Sequence, residues 1–186
     1  MNITKWLQGQ LTKAEAEPSG GAGGGAIMAH TTLTARKKEL GKDGEYYYTD
    51  ERRVVRDKVV TDDFCEYIVD NLITEVAAFG DFKYHHSGTG VGAEAAADAG
   101  LGTPELDART VGTQAEDGTK TYSSVATETF DDTAAITEHG LFNTAGAGGP
   151  PVTGGILMDR TKIAAINVVN TNQIEWTFTI AFTSGG

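Results

Sequence analysis

The strongest constraint on this chain lies near its C-terminal end. Ile174, Trp176, Phe178, Ile180 and Phe182 alternate with Gln173, Glu175, Thr177, Thr179 and Ala181. A period of two sends the first set to one face of an extended strand and the second set to the other. Such a strand buries one face only, so it must belong to a sheet with another layer packed against it. Trp176 and Phe178 are expected to lie among the least exposed residues.

Further strands are predicted at 45–49, 52–60, 82–85, 109–113, 122–130, 135–142 and 156–169. Turn signals separate them at Gly41-Lys-Asp-Gly44, Asp117-Gly118, Asp131-Asp132 and the glycine-rich 146–155. One segment has a helical period instead. Thr61 followed by Asp62 and Asp63 offers a capping hydroxyl and two acids for a first turn. Phe64, Ile68, Leu72, Val76 and Phe79 then recur at three or four, with Cys65, Val69 and Ile73 widening the stripe before Gly80. The spacing predicts a helix over 61–79 that covers one side of a sheet. The expected fold is α+β and mainly antiparallel, sandwich or barrel-like, with one packed helix and an extended N-terminal arm.

With 186 residues the chain suits one domain plus an appendage. In residues 1–17, Ile3, Trp6, Leu7, Leu11 and Ala14 fall on one helical stripe, which Pro18 ends. Five of residues 19–25 are glycine, the others Ser19 and Ala22, a tether by composition. A helix this short is marginal alone in water, so 1–30 reads as a docking helix and linker, with Ile3, Trp6, Leu7 and Leu11 as partner-binding residues. Residues 31–60 read as an extended arm or edge hairpin, and 61–186 as the β-rich core.

Charge and cysteine usage narrow the function classes. Asp and Glu number 26 against 15 Lys and Arg, a formal charge of -11, so the long-range field repels nucleic acid and anionic membrane. Arg36, Lys37, Lys38, Arg52, Arg53, Arg56 and Lys58 interleave with Glu39, Glu45, Asp50, Glu51 and Asp57, a pattern that suits pairing with protein and not with a polyanion. Neither a span of about 20 apolar residues nor a signal-peptide order is visible, so no membrane is expected as a partner. A single cysteine, Cys65, leaves no internal disulfide and fits synthesis in the cytoplasm.

Candidate chemistry is sparse. Ser87-Gly-Thr-Gly-Val-Gly92 invites comparison with a phosphate loop, yet no Lys-Ser or Lys-Thr follows. Gly88, Gly90 and Gly92 are therefore assigned to an interface loop over 87–102, where glycine permits close backbone approach. His85, His86, Glu138 and His139 have the donor types of a zinc site. Adjacent histidines on a strand face opposite ways, so hydrogen-bonded structural roles are expected for His85 and His139. Cys65 is expected as a small buried hydrophobe. Asp62-Asp63 and Asp131-Asp132 sit at a helix start and a turn. No catalytic residue, metal or cofactor is assigned, and the chain is expected not to be an enzyme.

Ala135-Ile-Thr-Glu-His-Gly-Leu-Phe142, a glycine-rich turn and Ile156-Leu-Met-Asp-Arg160 resemble a pattern of tailed-bacteriophage virion proteins, including tail-collar fibre domains. Tyr84-His-His-Ser-Gly-Thr-Gly90 and 101–109 occupy the places of its "G-x-G" and "L-x-x-E-x-x-R" segments, and the likeness covers about 79–182. The resemblance implies a virion location. A sequence that ends soon after its closing strand and begins with a tethered helix suits the head better than a fibre. The expectation is a capsid decoration or cement protein on the capsid surface, binding the major capsid protein and itself as a homo-oligomer such as a trimer. The alternative is a receptor-facing or fibre-attachment protein of the tail or neck.

Overall fold

The computed structural model describes residues 27–57, 61–72, 81–116 and 120–184, and Met28–Thr183 make up its main compact unit. Its elements are β1 (Ile27–Leu40), β2 (Tyr46–Asp57), α1 (Asp62–Leu72), β3 (Tyr84–Gly88), β4 (Thr110–Val111), β5 (Thr113–Glu116), β6 (Thr121–Thr129), β7 (Ala134–Phe142), β8 (Leu157–Val168) and β9 (Gln173–Ser184). They form two mainly antiparallel sheets, ordered β2-β1-β9-β6-β5 and β4-β3-β7-β8. The expected α+β, mainly antiparallel class with a packed helix is what folds. Of sandwich and barrel, the sandwich forms; each sheet keeps two open edges, so no barrel closes. The N-terminal arm lies outside the described residues.

Period two governs the core. Ile174, Trp176, Phe178 and Ile180 of β9 are each at most 1% exposed. Across from them on β6 stand Glu128, Ala126, Ser124 and Tyr122 in register, so the smallest side chains face the two largest and leave room for them between the sheets. β7 and β8 supply Ile136, Leu141, Met158, Ile163 and Ile166 from the other layer.

β1 and β2 are more than an appendage to this core. β1 is the second strand of the five-stranded sheet, and its inward residues Thr31, Leu33 and Ala35 are all buried. A boundary at residue 61 is therefore corrected: the core begins within β1, and only β2 has edge character. β2 also runs as one strand where two short pieces were expected, with a register shift opposite Lys37/Lys38 absorbing the irregularity.

α1 starts where its cap predicts. The Phe64 amide donates to Thr61 Oγ1 at 3.3 Å, and the Thr61 amide donates to Met158 O at 3.0 Å, tying the helix start to the outer edge of β8. Phe64 and Tyr67 pack edge-on against Phe82, with ring centroids 5.1 and 5.7 Å apart. The buried stripe is narrow: Phe64 and Tyr67 are buried and Ile68 half-buried. Cys65 is exposed, contrary to the expectation of a buried hydrophobe, because one step past Phe64 turns it out of that stripe. Val69 is exposed for the same reason. Residues 73–79 of the expected helix lie outside the described residues.

One predicted strand, 109–113, divides between the layers. β4 pairs with β3, β5 pairs with β6, and Gly112 makes the crossing. A Cβ there would stand 2.5 Å from Ser124 Oγ and 2.8 Å from His85 Nε2, so glycine is needed for the chain to pass over that pair. Among the described residues no helix is long and apolar enough to cross a membrane.

Candidate functional site

The polar residues of the sequence pattern collect on the two faces of the hairpin β7–β8, one turned to the sandwich core and one to the loop over 88–104. On the core side, His139 lies against Trp176, ring centroids 4.5 Å apart. His139 Nε2 and His85 Nδ1 share a hydrogen bond of 2.9 Å, and His85 Nε2 bonds Ser124 Oγ at 2.8 Å. Both rings are fully buried. Burial pushes His85 down to about 3 and His139 well below the ordinary imidazole value, so both are neutral at pH 7. Beside them Glu128 accepts hydrogen bonds from Ser87 Oγ and, at 2.9 Å, from Trp176 Nε1. Its other oxygen, Oε1, has no hydrogen-bond partner among the described residues. Burial outweighs the two bonds and raises this carboxyl to about 7. Asp159, bonded by Thr161 Oγ1, is likewise raised by burial to about 7.

On the loop side, Glu138 is as deeply buried as Glu128 but far better solvated by protein. Its Oε1 accepts the amides of Gly90 at 3.0 Å and Thr103 at 2.8 Å; its Oε2 accepts the Gly102 amide at 3.1 Å and Arg160 Nε at 2.7 Å. Burial alone would raise this carboxyl, but the donors together with the Arg160 charge hold it below the usual carboxylate value. Arg160 also pairs with Asp98 at 2.8 Å. One ionised carboxylate thus gathers both ends of the glycine-rich loop onto β7.

This geometry reassigns the interface glycines. A Cβ at Gly90 would overlap the Glu138 carboxylate, and one at Gly88 would stand 2.6 Å from both Glu138 Oε1 and Thr103 O. Gly88 and Gly90 are glycine because backbone closes on Glu138 within the chain, which corrects their reading as residues kept open for a neighbour. A Cβ at Gly92 would meet nothing within 4 Å, so this position stays compatible with an outward contact. The arm residues Ile3, Trp6, Leu7 and Leu11 lie outside the described residues.

The histidines take structural positions: His86, on the opposite face from His85, bonds Glu105 O at 3.1 Å through Nε2. Among the described residues no group of three His, Cys, Asp or Glu side chains is arranged to hold a metal ion. Five residues of the basic row pair within the chain, Arg36 and Lys38 both with Glu175, Lys37 with Glu39, Arg52 with Asp50 and Arg56 with Glu94. What sequence reasoning missed is the Glu138 to Arg160 pair. Its one local signal is charge within two buried strands, Glu138 on β7 and Asp159, Arg160 and Lys162 on β8.

Beyond the buried clusters, the surface offers the tip of the β1–β2 hairpin. Leu40, Tyr46, Tyr47 and Tyr48 are 39 to 54% exposed there. Tyr48 donates to Glu175 at 2.9 Å and has the Arg36 guanidinium over its ring at 4.9 Å. No protein-family model, curated protein or solved structure matches the chain.

Proposed function

We propose that this chain is a non-enzymatic structural protein of a tailed-phage particle, a capsid decoration protein that binds across neighbouring major capsid subunits and itself forms a homo-oligomer such as a trimer. The observation that carries the reading is the pattern Glu138-His-Gly-Leu-Phe142 with Leu157-Met-Asp-Arg160. Its resemblance to virion proteins rests on residues that build the hairpin β7–β8 and anchor the loop, so the likeness engages the centre of the fold and not a surface tag. Two further features support it. The side chains with the most chemical potential, His85, His139 and Glu138, are engaged in internal hydrogen bonds. The hairpin tip exposes tyrosines, the residue type enriched where proteins meet.

The mechanism is additive binding energy. Each copy buries area between subunits, and stable complexes bury about 1,200 to 2,000 Å². The net negative charge keeps the protein off the packaged nucleic acid. Counting copies in purified particles tests the proposal. Hundreds per virion are expected; a handful would move the protein to the tail or neck, and absence from particles would overturn the reading.

A further inference from the structure

β2 is the outermost strand of the five-stranded sheet. Alternate residues along it therefore present main-chain amides and carbonyls that no strand pairs among the described residues. Its register with β1 is unbroken from Asp50 to Asp57, which fixes the side that each residue faces. Arg52, Val54 and Arg56 stand opposite the buried Ala35, Leu33 and Thr31, so they share the inward face with Asp50. Glu51, Arg53 and Val55 take the solvent face, and all three are exposed.

The charges of the two faces are used differently. On the inward face Asp50 and Arg52 pair with each other. On the solvent face neither Glu51 nor Arg53 forms an ion pair among the described residues, although they carry opposite signs. The Glu51 main chain is answered by side chains and not by a strand: its amide donates to Asp50 Oδ1 at 2.8 Å, and its carbonyl accepts from Arg52 Nη1 at 2.9 Å. Charge on an edge strand ordinarily keeps other strands away. Here its order matters, because Asp50-Glu51-Arg52-Arg53 places two acids before two bases. That order sets like on like in a parallel copy and unlike on unlike in an antiparallel one.

A two-fold axis normal to the sheet lays one β2 antiparallel to another, and each contact is then made twice, residue i on j and j on i. Residues directly opposite one another must point to the same face, so the axis passes through a residue and not between two. With the axis through Arg52, Glu51 meets Arg53 of the second copy and Arg53 meets its Glu51. On the inward face each Arg52 then lies opposite its copy with an Asp50 diagonal to it, and the two Asp50–Arg52 pairs form one group of alternating sign. An axis through Glu51 or Arg53 sets like charges opposite each other on the solvent face. Within 50–54, Arg52 is the one centre at which both solvent-face charges meet their opposites.

We infer that β2 is a self-recognition edge: two copies of this chain pair their β2 strands antiparallel about an axis through Arg52, with the reciprocal Glu51–Arg53 contacts setting the register. Two five-stranded sheets thereby become one continuous sheet. Thr49, the extra residue at the register shift opposite Lys37/Lys38, ends the regular stretch on one side. A contact between single strands is small beside the about 1,200 Å² of a stable interface, so the pair is weak and exchanges readily. The inference rests on β2 and not on the virion reading; it names the self-contact, and a two-fold pair takes the place of the trimer given there as the example.

Sedimentation of the full-length chain from about 10 µM to 1 mM reads the association, and a monomer–dimer equilibrium is expected. Glu51→Arg and Arg53→Glu each set like charges across the axis twice, so each should raise the dimer dissociation constant at least about tenfold. Both positions are exposed, and Tm should not change. An equimolar mixture of the two variants restores opposite charges at both contacts, and it should dimerise about as well as the parent. The double variant, with both charges exchanged, should do the same. A parent that stays monomeric or sediments as a trimer, single variants that dimerise undiminished, or a mixture no better than either variant alone would each overturn the inference.

Discussion

Glu128 projects from β6 of the five-stranded sheet and Glu138 from β7 of the four-stranded sheet, and both are at most 1% exposed, yet the protein treats them oppositely. The core side gives Glu128 a hydroxyl, an indole N–H and no counter-charge, and burial carries it up to about 7. The loop side gives Glu138 three backbone amides and a guanidinium, and it stays ionised below the usual range. Burial alone therefore does not decide the charge of a carboxyl; the number and sign of the donors around it do. The core side is rigid packing with polar inclusions, whereas the loop side is an electrostatic clasp.

Mutations should separate the two regions. Trp176→Ala, on the core side, removes a fully buried ring and a donor to Glu128, and should cost about 4 to 5 kcal/mol in denaturant unfolding. A loss below about 1 kcal/mol would mean that the sheets do not meet over Trp176. Glu138→Gln, on the loop side, keeps the shape but sets an amide donor against Arg160 or the loop amides, for a cost of about 3 kcal/mol. Hydrogen exchange should quicken first at Gly90, Gly102 and Thr103; uniform quickening across the sandwich would argue against a local clasp.

Gly90→Ala compared with Gly92→Ala sharpens the picture of the clasp. The first pushes a methyl into the Glu138 carboxylate and should cost about 1 to 3 kcal/mol, while the second meets open space and should lie within about 0.5 kcal/mol of the parent. Equal effects would restore an outward role for both glycines. The smallest change is expected at the surface. Glu175→Gln weakens pairs to Arg36 and Lys38 that water already screens in part, for at most about 1 kcal/mol, and less in high salt.

How much of this could be read from residues alone follows from what each element depends on. β9 announced itself because its buried face is wholly large and apolar. β1 did not, because its buried face is Thr31, Leu33 and Ala35, whose alternation barely registers as hydropathy. α1 was found from its cap, but a period of three and four also admits Cys65, and only the packed neighbours Phe82 and Met158 decide how wide the buried stripe is. The clasp was hidden for a different reason. Gly90, Gly102 and Thr103 reach Glu138 across 48, 36 and 35 residues of sequence, a distance over which no local pattern operates.

The contrast between the two carboxyls has a definite sign in pH. Glu128, raised from 4.5 to about 7, holds a proton in the folded state that the unfolded chain releases, so its contribution to stability falls as pH rises across that window. Glu138, lowered, contributes stability that is present above its ordinary value of 4.5 and is lost as pH falls through its folded value. A pH titration of the side-chain carboxyl carbons by 13C NMR reads both groups in one folded sample. The account predicts that Glu138 is still ionised below pH 4.5 while Glu128 takes up its proton near pH 7. Titration of both together near the ordinary value would contradict it.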